Sequence, residues 1–288
     1  MPTTLKTIHR KTSIVLKRGG RIFPSIKGYL LGNKISTYWF VKRVNFGDLL
    51  TPLILKYYGF SPVWYPMQQA QVLSTGSILQ RTPEDYSGHI IGSGLIKDTT
   101  RCFKKAKIWA VRGKLTRERI NAPKATALGD PGLLSSKLLQ QRQSRHYALG
   151  IVPHFVDQED PRIVLIKKRY KKDVLVIDVA RKPPAVFKDI DKCDCIFSSS
   201  LHGIIVADSF NIPNAWIYLS DKLKGKGFKF HDYFSSTGIT RNPLYLDGTE
   251  NLSQMLKNSH KPPEVMIEGL KERLDSTFRC FSNFFTSK

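Results

Sequence analysis

The chain has 288 residues, 41% hydrophobic and 11% aromatic, which is enough apolar side chain for a real core and too much for a disordered chain. Lysine and arginine outnumber aspartate and glutamate by 46 to 23, a formal charge of +23, so an anionic partner is expected: nucleic acid, an acidic membrane surface, or a phosphorylated or polyanionic substrate. No run approaches the ~18 apolar residues of a membrane span. Cys102, Cys193, Cys195 and Cys280 have neither metal-ligand nor disulfide-framework spacing, so a reducing, cytoplasmic compartment fits.

Residues 1–40 form a basic leader. Lys6, Arg10, Lys11, Lys17 and Arg18 interrupt its apolar positions, so it does not read as a signal peptide. It reads as a solvated leader, an entry strand, a loose arm, or a surface that meets anionic lipid. After it, Val44-Asn45-Phe46-Gly47-Asp48 predicts a loop with Asp48 as N-cap. The next segment is a helix with Pro52 in its first turn and Gly59 closing it.

Val72 to Ile78 and His89 to Ile96 read as short buried strands ending in glycine-serine turns. Lys107 to Val111 is a strand, Arg112-Gly113 a turn, and Lys114 to Ile120 a charged helix. Ala127 to Gly132 repeats the pattern and leads into a helix from Leu133 to Leu139. Strands alternating with helices argue for a mostly parallel α/β sheet, in which ligands gather at the carboxyl ends of the strands. Asp48, Gly76, Gly94, Arg112 and Asp130 all fall at such ends.

Gln140 to Arg145 is the best linker candidate, dividing the chain into residues 1–143 and 144–288. The second unit has strands at Tyr147 to Val152, Val174 to Val179, Cys195 to Phe197 and Asn214 to Leu219. A lysine-rich loop (Lys222, Lys224, Lys226, Lys229) follows, and helical spacing at Val265, Ile267, Leu270 and Leu274 marks the tail. Two similar halves predict two Rossmann-like domains facing a central cleft. Cys193 and Cys195 would share one strand face as small buried hydrophobes.

Within that unit, Ser198-Ser199-Ser200-Leu201-His202-Gly203 ends a strand and opens an apolar helix. One reading is a serine N-cap on a core helix. The other is an anion site, built from free amides at the helix start and a histidine that titrates near neutral pH.

Asn45-Phe46-Gly47-Asp48, Val111-Arg112-Gly113, Gly129-Asp130-Pro131-Gly132, Val152-Pro153-His154 and Ser200-Leu201-His202-Gly203 occur in this order. The ordered set resembles the polysaccharide pyruvyl transferase family, most closely its short bacterial exopolysaccharide members of the succinoglycan type. The resemblance runs from about Asn45 to Phe234. It implies a fold like that of two-domain GT-B glycosyltransferases, and transfer of pyruvate from phosphoenolpyruvate to two sugar hydroxyls as a cyclic ketal. Many family members carry an arginine immediately before Leu-His-Gly. Here Ser200 stands there, so the anion contact must come from backbone amides or a lysine of the 222–229 loop.

Such a reaction needs a general acid, a base and a stabiliser for an oxocarbenium-like centre. His202 is the first candidate for phosphate contact or proton transfer. Asp48 and Asp130 are candidates for the base or for stabilising positive charge, each equally readable as a cap or turn former. Arg112 is expected to grip an anionic group of the donor bidentately, the alternative being an ion pair with Glu118 or another carboxylate. Ser200, Leu201 and Gly203 would line the donor site, and His154 the acceptor side. Lys229 and His231 are weaker candidates.

Neither cofactor nor catalytic metal is expected, phosphoenolpyruvate being the donor substrate. The acceptor would be an exopolysaccharide sugar or its lipid-linked oligosaccharide precursor, with peripheral attachment to an anionic membrane face. A GT-B glycosyltransferase using a nucleotide sugar is the alternative, and a basic nucleic-acid-binding protein the third reading.

Overall fold

The computed structural model describes residues 33–42, 44–222 and 225–286. The roles considered for the leader up to residue 32, and Lys224, lie outside these residues.

The first half opens with β1 (Asn33–Tyr38), α1 (Leu50–Tyr57), β2 (Phe60–Trp64) and β3 (Val72–Leu73). It continues with β4 (His89–Ser93), β5 (Lys107–Val111), α2 (Lys114–Arg119) and β6 (Ala127–Leu128). A 3-10 turn (Pro131–Leu134) and α3 (Ser135–Leu138) complete it. Gly59, at φ +85°, closes α1 in the left-handed conformation that a side chain resists. The six strands pair in parallel in the order β2-β1-β3-β4-β5-β6.

The second half contains β7 (Tyr147–Val152), α4 (Pro161–Arg169), β8 (Val174–Val176), α5 (Pro183–Asp191) and β9 (Cys193–Ser198). Then come α6 (Leu201–Ser209), β10 (Asn214–Tyr218), α7 (Phe228–Thr237), β11 (Leu244–Tyr245), α8 (Leu252–Lys257) and α9 (Glu264–Thr286). Its five strands are also parallel, in the order β11-β10-β9-β7-β8. The α/β class and the two Rossmann-like halves are those the sequence predicts.

Both sheets reverse their strand order once, between β1 and β3 in the first and between β7 and β9 in the second. At such a switch point the flanking connections leave to opposite faces and open a crevice beyond the carboxyl ends of the strands. Connections from both halves meet there. Phe46 N donates to Val179 O at 2.8 Å, and a Cβ on Gly132 would come within 2.9 Å of Ile205.

Helix α6 joins the halves. Every residue from Leu201 to Ser209 is buried, as expected of a helix apolar on all sides. Ser209 Oγ donates to Leu133 O at 2.7 Å and accepts from Ser136 N at 2.9 Å, both across the divide.

The tail helix α9 follows the proposed boundary into the second half in sequence but packs on the first. Phe278 stacks on Tyr58 with centroids 4.9 Å apart, Phe281 meets Phe60 at 5.5 Å, and Tyr58 Oη donates to Asp275 at 2.6 Å. Its buried stripe is Ile267, Leu270, Leu274, Phe278 and Phe281. Val265, placed on that stripe by spacing alone, is 83% exposed, because two residues before Ile267 turns it about 200° around the helix. Cys193 and Cys195 are buried as expected, and burial pushes their thiols up to about 12 and about 11.

Candidate active site

The crevice is built from strand ends. From the first half come Gly47 and Asp48 before α1, Thr75 after β3, Arg112 after β5, and Asp130 after β6. From the second come His154 and Asp157 after β7, the three serines after β9, and Lys229 at the start of α7.

His202 is at its centre, in the first turn of α6. Its ring lies on Gly47, where an added Cβ would fall 2.0 Å from Nδ1, and meets Phe46 edge-on at 6.3 Å. That contact explains the glycine, since any side chain there would displace the ring. Nε2 points to Asp130 Oδ2, 3.9 Å away, and neither atom has a hydrogen-bond partner among the described residues. Asp130's other oxygen accepts from Gly132 N at 2.9 Å, so this residue is the turn former the sequence predicts and also presents a free oxygen to the crevice.

Unpaired buried polar atoms are costly, and several collected in one place mark a surface shaped for something other than folding. Thr75 Oγ1, His154 Nδ1 and Asp157 Oδ2 are buried and unpartnered in the same way.

Burial drives the protonation states apart. It pushes His202 down to about 3, helped by Lys229, Arg112 and His154, so the imidazole is neutral. Burial and Lys229 likewise bring His154 down to about 3. Asp130 is pushed up to about 6 by burial, with Arg112 and the Gly132 amide opposing. Asp48, although partly open to solvent, is raised to about 7 by its dry surroundings, with Lys229 opposing. Lys229 falls to about 8 through burial and Arg112, while Asp48 and Asp157 favour its charge. Carboxyls and an amine that titrate near neutrality suit proton transfer, and such values concentrate at functional sites.

Three sequence expectations change. Asp48 does not cap α1, whose N-cap position is Leu49 with no side-chain cap, so the carboxylate is left to the crevice. Ser200 holds the N-cap position of α6 but its hydroxyl makes no cap bond. The amides of Leu201 and His202 therefore open the helix, which begins its bonding with Gly203 N to Ser200 O at 3.0 Å.

The third change concerns Arg112. Fully buried, it takes the alternative reading, an ion pair with a carboxylate other than Glu118, though away from the surface. Nε donates to Asp232 at 2.8 Å, Nη1 to Ser77 Oγ at 2.7 Å, and Nη2 to Leu95 O. Its guanidinium acts on the crevice through its field, while its fork is held by protein.

The remaining candidates divide. The Leu201 side chain joins the apolar core, leaving only its amide for a ligand. Gly203 is a packing residue, since a Cβ there would meet Ser198 Oγ at 2.3 Å. His154 lies at the end of β7, its amide donating to Ser199 Oγ at 2.8 Å. His231 turns its ring edge to Trp216 at 5.2 Å.

Sequence reasoning missed Asp157 and Asp232. Asp157, whose Oδ1 accepts from Ser220 Oγ at 2.6 Å, follows His154 in a strand-end loop, and the strand-end rule could have found it. Asp232 had no local signal, because its partner is 120 residues away.

Comparison with known proteins gives three relatives. The chain is 35% identical over 163 residues to uncharacterized protein L143 of Acanthamoeba polyphaga mimivirus, covering 53% of this chain and 56% of that one. The chain thus spans little more than half the length of that relative. It is 26% identical over 230 residues to the succinoglycan biosynthesis protein ExoV of Rhizobium meliloti (strain 1021), covering 77% of this chain and 71% of that one. Among solved structures, the wall teichoic acid polymerase TagF is similar at a TM-score of 0.47 and 11% identity, over 98% of this chain and 96% of that one. A family model, polysaccharide pyruvyl transferase, matches residues 45–221, from the Asn-Phe-Gly-Asp loop to just past β10. The match takes in every strand end that builds the crevice except Lys229's, and the chain belongs to the polysaccharide pyruvyl transferase family.

Proposed function

We propose that this protein transfers pyruvate from phosphoenolpyruvate to two hydroxyls of one sugar in an exopolysaccharide or its lipid-linked oligosaccharide precursor, forming a cyclic ketal and releasing phosphate. The observation that carries this reading is the unpartnered His202 Nε2–Asp130 Oδ2 pair, 3.9 Å apart where the two halves meet.

The donor carries about three negative charges near neutral pH. Lys229 and the amides of Leu201 and His202 supply attraction for it, so the missing arginine at Ser200 is replaced from a different element. Its arrival beside the neutral imidazole raises that ring's proton affinity, since an opposite charge stabilises imidazolium.

The chemistry then balances as follows. The enol methylene carbon gains a proton, and one sugar hydroxyl bonds to the central carbon as its own proton leaves. The carbon–oxygen bond to phosphate breaks, and the second hydroxyl closes the ring as its proton passes to phosphate. Asp48 and Asp130, raised to about 7 and about 6, are the groups able to hold a proton for the methylene carbon. His202 Nε2 takes the hydroxyl proton, and Asp130 steadies the charge that forms.

Phosphate release from phosphoenolpyruvate, measured with candidate oligosaccharides, tests the reading. Acceptor-dependent release that collapses in His202→Ala is the expected result. Nucleotide release from a nucleotide sugar, with none of phosphate from phosphoenolpyruvate, would replace it with glycosyl transfer.

A further inference from the structure

Helix α4 begins at the crevice rim, directly after the loop carrying His154 and Asp157, and runs back along the second sheet. Its inner side is settled by Ile163 and Ile166, both buried. Its outer side is unlike that of an ordinary surface helix. Val164 is 55% exposed and Leu165 50% exposed, adjacent on the wheel to exposed Lys168. Tyr245, on the neighbouring strand β11, is 74% exposed. The two segments are tied together, because Arg162 Nη1 donates to Leu246 O at 3.2 Å and a Cβ on Gly248 would meet Leu165 at 3.1 Å.

The stretch from Arg162 to Asp173 holds six cations and one carboxylate. Three of the cations are occupied. Arg162 pairs with Asp160, Lys167 donates to the carbonyls of Lys171 and Val174, and Arg169 donates to Thr249 O. The side chains of Lys168, Lys171 and Lys172 are exposed and make no hydrogen bond or ion pair among the described residues. Asp173 follows them on the same segment, and Glu250, whose carbonyl accepts from Tyr170 Oη, already has its carboxylate accepting from the amides of Asp247 and Gly248.

We propose that this face, Val164 and Leu165 with Lys168, Lys171 and Lys172, docks the enzyme on an anionic lipid bilayer. Two exposed aliphatics on a helix, with one unpaired lysine beside them and two more in the turn that follows, are the chemistry of an interfacial segment. The apolar pair enters the headgroup boundary and the lysines meet anionic lipid. The charge argues for lipid over a protein partner, since a neutral apolar groove would leave three free lysines unanswered. The placement also has a consequence for the proposed reaction. A bilayer lying along α4 brings the crevice rim at Pro161 beside the membrane, where a lipid-linked acceptor presents its sugars. This last step rests on the pyruvyl-transfer reading; the docking itself does not.

The test is co-sedimentation of the full chain with phosphatidylcholine vesicles, with and without phosphatidylglycerol. Wild type is expected to partition into the anionic vesicles and to be released by salt. Replacing Lys168, Lys171 and Lys172 by Gln is expected to weaken partitioning roughly 100-fold. The double variant Val164→Ser with Leu165→Ser is expected to weaken it about tenfold. All five side chains lie outside the core, so phosphate release with a soluble acceptor stays at the wild-type rate.

Equal partitioning of wild type and both variants overturns the proposal, and so does equal binding to neutral vesicles. Self-association of wild type that the serine variant abolishes, with vesicle binding unchanged, makes the face an interface between copies instead. A chain that binds vesicles as expected but releases no phosphate defeats the catalytic reading and leaves this one standing.

Discussion

Two buried pairs, each a basic side chain beside a carboxyl across the divide, belong to one crevice and are built to opposite rules. In Arg112 and Asp232 every side-chain nitrogen and oxygen has a partner. Asp232 accepts from Arg112 Nε, from Thr116 N at 2.6 Å and from Thr116 Oγ1 at 2.7 Å, and Arg112 spends its remaining bonds on Ser77 and Leu95. His202 and Asp130 face each other at 3.9 Å with their nearest atoms unpartnered. A saturated pair holds elements together, here β5 and α2 against α7. An unsaturated pair costs stability in the folded protein and is retained where a ligand completes it. Burial does not separate the two pairs; hydrogen-bond accounting does.

Substitution should separate them further. In His202→Ala, phosphate release is expected to fall roughly 10²- to 10⁴-fold, the range for loss of a general acid or base. Thermal melting should change little, since no hydrogen bond of Nε2 is lost. Arg112→Met should behave in reverse order. It strands Asp232 in a dry site, and denaturant titration should register a loss of about 3–5 kcal/mol. A stable Arg112→Met protein with a lost rate would place Arg112 on the donor and break the comparison.

Asp130→Asn gives the sharpest contrast, because stability should rise while activity falls. Burial lifts the Asp130 carboxyl from 3.8 to about 6, so between those values the folded chain keeps a proton that the unfolded chain has released. Stability therefore declines as pH climbs through that window, and the deficit is complete above it. Asparagine keeps Oδ1 for the Gly132 amide and removes the charge. The variant should gain on the order of 2–3 kcal/mol at about pH 8, and nothing below about pH 4. His202 has the opposite sign, since its depressed value makes stability rise between about 3 and 6.5. Asp232→Asn should lose stability, because it weakens the pairing with Arg112 and the bonds from Thr116. Equal losses in both asparagine variants would show that Asp130 is structural too.

Much of this was legible in the sequence, and the illegible part has a physical pattern. Strands β5 and β7 form over the residues read from their apolar runs, because a buried parallel strand bounded by turn residues leaves few alternatives. Gly59 was readable for a similar local reason. Contacts between the halves were not. Nothing near Gly47 says that the ring of His202 will lie on it, and nothing near Arg112 names Asp232. Asp48 stayed open between a cap and a displayed carboxylate, because loop-glycine-aspartate before a helix is the usual cap signal, while the helix in fact starts at Leu50 from a Leu49 cap position. Val265 was misplaced because a stripe counted without its partner surface tolerates a residue on the wrong side.

The smallest effect concerns the cation proposed to compensate for Ser200. Lys229 comes from α7, and burial and Arg112 lower it from 10.5 to about 8 while Asp48 and Asp157 pull the other way. Because its folded value is depressed, it loses its charge as pH rises through about 8. An anionic donor then loses attraction, and its KM should climb about tenfold across that step with kcat nearly unchanged, the signature of a group that binds without taking part in chemistry. Lys229→Gln should show the raised KM at every pH. In Lys229→Arg, whose guanidinium stays charged, the alkaline rise should disappear. Arg112 lies close enough to lower Lys229, and Arg112→Lys keeps that charge, so the step should stay in place or shift only slightly. A KM step that survives Lys229→Arg unchanged would belong to another group, and the crevice would then hold its donor by the amides of α6 alone.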